Sequence, residues 1–91
     1  MAITSKSNPL IKEISKLSDK KYRREFNKYI VEGTKPVNEC LASAYEVEKI
    51  ICSEELASAY PNAVVVSNDV FQYISSEKTP QGVMAVVKLP Q

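Results

Sequence analysis

Stretches of helical spacing alternate with short apolar runs along the whole chain, and this alternation constrains the fold more than any other feature. Asn8-Pro9 marks a helix start: Asn accepts from the free N–H groups of a first turn, and Pro is tolerated at the first helical position. Leu10, Ile11, Ile14 and Leu17 then fall on one apolar stripe. Tyr29-Ile30-Val31 is β-prone, with Asn27 placed to turn the chain into it, and Glu32-Gly33 ends the run. Thr34 is expected to cap a second helix in which Val37, Cys40, Leu41 and Ala44 recur on one face. Pro36 lies in its first turn, where a missing N–H does no harm.

Val47 to Cys52 reads as the second strand, and Ser53-Glu54-Glu55 as the start of a short helix that Pro61-Asn62 breaks. Ala63-Val64-Val65-Val66 is an uninterrupted apolar run, expected to be buried on both faces of a sheet. Ser67-Asn68-Asp69 caps a helix carrying Val70, Phe71 and Ile74. A polar loop from Ser75 to Gln81 leads through Gly82 to a last strand, Val83 to Val87. The order α-β-α-β-α-β-α-β predicts an α/β fold, a three-layer α/β/α sandwich around a four-stranded, largely parallel central sheet.

Ninety-one residues suffice for one domain with a modest core. With 44% hydrophobic and 25% charged residues, the composition is that of a folded protein rather than a disordered tail. Residues 1–88 are expected to form the domain and residues 89–91 to begin a linker. No apolar run is long enough to span a bilayer and no signal-peptide pattern opens the chain, so a cytoplasmic protein without a membrane partner is expected.

The net charge of +1 hides a strong segregation. Up to residue 36 there are nine Lys and Arg against four acids; after it there are three against seven, giving about +5 and −4 for the two parts. A one-sided basic surface is the electrostatic footprint of a protein that meets phosphates. The candidate RNA-binding residues are Lys12, Lys16, Lys20, Lys21, Tyr22, Arg23, Arg24 and Lys28. Lys12, Lys16 and Lys20 lie four apart on one helical face, if the helix continues that far, and the remaining cations extend the row without a change of sign. Arginine grips a phosphate through two parallel N–H bonds and lysine supplies point charge. One of the two arginines is as well explained by a structural pairing with a nearby acid. Tyr22, flanked by charge, is the candidate for stacking on an unpaired base, whereas Phe26 and Tyr29 suit the core.

Other chemistries are excluded by composition. There is no histidine, so the Ser/His and Cys/His nucleophile pairs cannot be built. Two glycines, Gly33 and Gly82, do not make a phosphate-cradling loop. Cys40 and Cys52 are too few for a zinc site and read as buried free thiols. Gly33 is expected at a positive φ, and Thr79-Pro80-Gln81-Gly82 as a turn.

Four segments in order then carry a resemblance: Asn8-Pro9-x-Ile11-Lys12, Lys21-Tyr22-Arg23, Tyr29-Ile30-Val31-Glu32-Gly33, and Pro80-Gln81-Gly82-Val83-Met84-Ala85-Val86-Val87. Together they resemble the N-terminal substrate-binding domain of the SpoU (TrmH-like) RNA 2'-O-ribose methyltransferases, from Ser7 to Val87. The resemblance implies a fold similar to the kink-turn-binding ribosomal proteins, and rRNA or tRNA as partner. It further implies a C-terminal knotted methyltransferase domain that binds S-adenosylmethionine, and a homodimeric enzyme. The family's catalytic motifs have no counterpart here, so no catalytic, cofactor-binding or metal-binding residue is expected in this chain, and Asn8, Arg23 and Glu32 take no catalytic role. Two alternatives stay open: a module for dimerisation or interdomain packing, and a free-standing kink-turn-binding protein.

Overall fold

The computed structural model describes residues 2–89. Helix α1 (Pro9–Lys16) and helix α2 (Lys20–Phe26) precede strand β1 (Lys28–Glu32), helix α3 (Thr34–Leu41) and strand β2 (Val47–Ser53). A single 3-10 turn (Glu54–Leu56), strand β3 (Val64–Val66), helix α4 (Asn68–Ile74) and strand β4 (Val83–Lys88) complete the order. Of the expected linker, only Leu89 lies among the described residues; Pro90 and Gln91 fall outside them.

The four strands form one sheet in the order β1-β4-β2-β3. Helices α1 and α4 cover one face, where Ile11, Ile14, Leu17, Val70 and Phe71 pack on Ile51, Val66, Met84 and Val86. Val37 and Cys40 of α3 cover the other, against Cys52, Val83, Ala85 and Val87. The three layers are as the sequence predicts. Each fully buried aliphatic side chain contributes about 1.5–3 kcal/mol, and β4, buried from Val83 to Val87, supplies both faces at once.

The expected strand direction is corrected. Only β2 and β3 run parallel as neighbours; β4 is antiparallel to both β1 and β2. The cause is where α4 ends. Ser75 and Ser76, just past it, hydrogen-bond the Glu32 carboxylate at the end of β1, so the chain has not crossed to the far side of the sheet. It must enter β4 from the end at which β3 finished, and therefore runs backwards. An apolar run buried on both faces reads alike in either direction.

Several local expectations also change. The presumed third helix is the 3-10 turn alone. Leu17 and Ser18 break the row of α1, and Asp19 caps a separate α2, its side chain accepting from Lys21 N–H at 2.9 Å. Residues 20–26 thus form a separate helix rather than a continuation of α1. Gly33, at φ +105°, occupies the cap position of α3, and Thr34 is its first residue. The cap comes from far along the chain: Gln81 Oε1 accepts from Thr34 N–H at 2.8 Å and from its hydroxyl at 3.2 Å. At its other end α3 stops at Leu41 because the Ser43 hydroxyl donates to Cys40 O at 2.8 Å, leaving Leu41 and Ala44 exposed. Strand β3 is an edge rather than a doubly buried strand. Ile3 partly covers it, donating to Val65 O at 2.8 Å while its own carbonyl accepts from Ser67 N–H at 2.9 Å.

Candidate nucleic-acid interface

The basic surface is built by the break between α1 and α2. Asn8 Oδ1 accepts from Leu10 N–H at 2.9 Å and fixes the start of α1, which buries Ile11 and Ile14 and turns Lys12 and Lys16 to solvent. Asp19 restarts the chain so that Lys20, Lys21 and Arg24 are also exposed. Lys20 and Arg24 stand one turn apart on α2, as do Lys12 and Lys16 on α1. The ammonium groups of Lys16 and Lys21 both lie 5.5 Å from the centre of the Tyr22 ring, which joins the two rows into one surface. Among the described residues, none of Lys12, Lys16, Lys20, Lys21 and Arg24 forms an ion pair; the pairs found belong to Lys28 and Lys88.

Three of the eight candidates are committed to the protein itself. Arg23 Nη1 donates to Leu17 O at 3.0 Å and to Ser18 O at 2.9 Å, closing the free carbonyls at the end of α1. It is the arginine with a structural role, and its partners are carbonyls rather than an acid. Lys28 Nζ lies 2.9 Å from Glu48 Oε2 and 3.1 Å from Glu13 Oε1. Its pKa is raised, first by the hydrogen bond to Glu48, against a smaller opposing effect of burial. Two carboxylates already balance this cation. Tyr22 is half-buried, stacked on Phe26 at 6.0 Å and 26°, with the two lysines over its ring. Cation–π attraction holds the two lysines near the ring, so Tyr22 helps to order the basic row.

The Lys28–Glu48 contact depends on a bulge. Val47 pairs with Val87 but Lys49 with Val86, leaving Glu48 as the extra residue. Val47 and Ile50, three apart, consequently both pack on the α3 side.

A second region emerges that charge alone does not reveal. The ends of β1, β2 and β3 and the start of β4 meet at one edge of the sheet, and three clefts run along it. The first, about 480 Å³, lies between Arg23, Ser18, Glu32 and Ser76. The second, about 370 Å³, is bounded by Glu32, Gly33, Lys35, Thr79 and Gln81. The third, about 190 Å³, lies beyond Gln81, towards Ser53 and Asn68. Glu32 is shared by the first pair and Gln81 by the second, so the hollows form a series. Glu32 is held by Ser75 Oγ and by Ser76 N–H at 3.2 Å. The sequence signal was present in Glu32-Gly33 and Pro80-Gln81-Gly82, but each reads as a turn until the fold brings them together. Lys6, over the exposed Tyr73 ring at 5.3 Å, is a further cation outside the candidate set.

The model of one protein family, described as an MRM3-like substrate binding domain, matches residues 8–85. The 23S rRNA (guanosine(2553)-2'-O)-methyltransferase RlmP of Bacillus subtilis (strain 168) is 31% identical over 94 aligned residues, which cover 98% of this chain and 38% of that protein. A crystal structure of an RNA 2'-O ribose methyltransferase matches with a TM-score of 0.83 and 28% identity, over 100% of this chain and 38% of that one. A putative RNA methyltransferase of the TrmH family from Porphyromonas gingivalis matches with a TM-score of 0.75 and 33% identity, over 92% of this chain and 36% of that one. The chain spans little more than a third of the length of these relatives.

Proposed function

Because the chain belongs to the MRM3-like substrate binding domain family, we propose that it grips RNA for a ribose 2'-O-methyltransferase. In this reading the α1–α2 surface holds phosphates, and the reacting nucleotide passes to a C-terminal domain carrying S-adenosylmethionine. The relatives that match this chain include an rRNA methyltransferase and an enzyme of the TrmH family, which supports rRNA as the first partner to test. The observation that carries the reading is the set of five exposed cations, Lys12, Lys16, Lys20, Lys21 and Arg24, free of ion pairs among the described residues. Two lysines drawn onto one tyrosine ring keep that charge from dispersing. Unpaired surface cations release counterions when they meet a polyanion, which makes them a source of affinity rather than of stability.

The chemistry falls to other residues. With neither histidine nor a glycine-rich loop, this chain positions RNA and leaves methyl transfer to the partner domain. Filter binding with purified 23S rRNA tests the reading. The triple variant Lys20→Ala, Lys21→Ala, Arg24→Ala should lose most of its affinity with an unchanged circular dichroism spectrum. Unchanged affinity would refute it.

A second reading rests on a different face. Leu41 and Tyr45 are each about half exposed, at 51% and 56%, near the end of α3. Tyr45 adjoins Glu46, whose carbonyl accepts from Lys88 N–H at 3.0 Å where β4 finishes. A contact there with the catalytic domain is compatible with RNA on the opposite, α1 side.

A further inference from the structure

We propose that the cleft formed by Ser53, Asn68, Phe71, Gln72, Gln81 and Gly82 is a pocket for one unstacked RNA base carrying an exocyclic amino group. The proposal rests on the reading of the chain as an RNA-binding domain and names a subsite that the basic surface does not include.

Size comes first. At about 190 Å³ and open to solvent on one side, the cleft has room for a single planar heterocycle with its sugar and phosphate outside. Its shape is fixed by Gly82. That residue sits at φ +103°, and a Cβ there would lie 2.6 Å from Ser53 Oγ, so the backbone approaches the Ser53 hydroxyl as no other residue type would allow. Phe71, only 2% exposed, forms the floor of the cleft, and the half-buried Pro80 gives it an apolar surface for one face of a ring.

Charge then narrows the ligand. No lysine or arginine lines the cleft, and its one ionisable residue is Glu55. A phosphate would meet repulsion here. A base edge instead meets amides and a carboxylate, which together offer donors and acceptors in the pattern that Watson–Crick edges present. Gln81 Oε1 is taken by Thr34, so its amide NH2 is the part left to donate. The exposed amides of Asn68 and Gln72 remain directed to solvent in the cleft. A carboxylate accepts from an amino group such as N4 of cytosine and repels a keto oxygen, so Glu55 favours cytosine over uracil.

The position is consistent with an RNA ligand. The cleft ends the series of hollows that begins at Arg23, adjoining the basic α2. A strand held by phosphates on α2 would reach this pocket along the sheet edge past Lys35, with its phosphates turned away from Glu32 and Glu77, which line both intermediate hollows.

The probes are cytidine and uridine, titrated as neutral nucleosides into the isotopically labelled chain and followed by backbone amide chemical shifts. Because neither probe carries phosphate, failure here is distinct from failure of the phosphate-binding surface. Cytidine should shift Gly82, Gln81 and Asn68 saturably, with uridine at least about threefold weaker. The pair Asn68→Ala and Gln72→Ala, both at exposed positions, should raise the half-saturating concentration about tenfold, the equivalent of roughly one good hydrogen bond. Glu55→Gln should remove the preference for cytidine. Absence of saturable shifts at these amides would overturn the proposal. So would binding indifferent to the Asn68→Ala, Gln72→Ala pair.

Discussion

Lys28 and Glu48 stand on strands separated by β4, yet their charged atoms are 2.9 Å apart. The bulge at Glu48 and the additional contact from Glu13 make this a three-residue cluster that joins α1 to the sheet. The side chains of Lys28 and Glu48 are only 18% and 24% exposed, so the pair is screened less than a surface contact.

Replacing Lys28 by Met should therefore lower stability and leave RNA affinity nearly unchanged. Two carboxylates would lose their common cation, at a cost of about 1–3 kcal/mol, between the values for surface and buried pairs. Urea unfolding and filter binding on the same variant check both halves. A variant of unchanged stability that binds RNA tenfold more weakly would place Lys28 among the phosphate contacts.

The pH dependence has a definite sign. Burial pushes up the pKa of the Cys52 thiol from 9.0 and of the Tyr29 hydroxyl from 10.0. Lys28 is raised from 10.5 chiefly by its hydrogen bond to Glu48. In each case the folded state holds its proton more tightly than the unfolded chain. Their contributions are fully present below the unfolded values and are lost as pH rises through the folded ones. Stability should begin to fall near pH 9, the unfolded value of the thiol. Cys52→Ala should delay the onset by removing the earliest of the three, which thermal melts between neutral and alkaline pH would register.

Gly82→Ala should be costly for two separable reasons. The residue is at φ +103°, and the new Cβ would press on Ser53 Oγ at 2.6 Å. Strain at a positive φ together with the clash amounts to about 2–4 kcal/mol. Adding Ser53→Ala should recover part of the loss, because the clash is relieved and the dihedral is not. A double-mutant cycle in urea measures the division; strict additivity would show that the close approach carries no energy.

Arg23→Ala should behave unlike its neighbour Arg24→Ala. The former leaves the Leu17 and Ser18 carbonyls without their charged donor, worth about 1.5–3 kcal/mol. The latter removes an exposed cation and should weaken RNA binding with little loss of stability. Parallel unfolding and binding measurements separate the two; identical behaviour would dissolve the distinction.

What the sequence revealed follows from the range of the forces involved. Asn8, Asn27 and Gly33 act on the backbone within a few residues. Their roles, as a helix cap, a left-handed turn at φ 59° and a positive-φ glycine, were legible. The three layers were legible too, because they depend on apolar periodicity. The direction of β4 was not, since it depends on how far α4 carries the chain. Nor was the fate of Lys28, whose partners lie 15 and 20 positions away, Glu13 reaching it from α1 and Glu48 from a bulge in β2. Arg23 and Arg24 are indistinguishable as letters; the break at Leu17-Ser18 alone gives one of them carbonyls to hold. Asp19 carries a signal that its charge hides, since an acid within a basic run is also a helix cap.

The salt dependence of 23S rRNA binding tests the central claim most directly. Each phosphate contact to single-stranded RNA contributes about −0.7 to the slope of log affinity against log salt concentration. Five contacts on α1 and α2 predict a slope of roughly −3 to −4, and the Lys20→Ala, Lys21→Ala, Arg24→Ala variant roughly −1 to −2. The same slope and affinity in both proteins would contradict an RNA-gripping role for this surface.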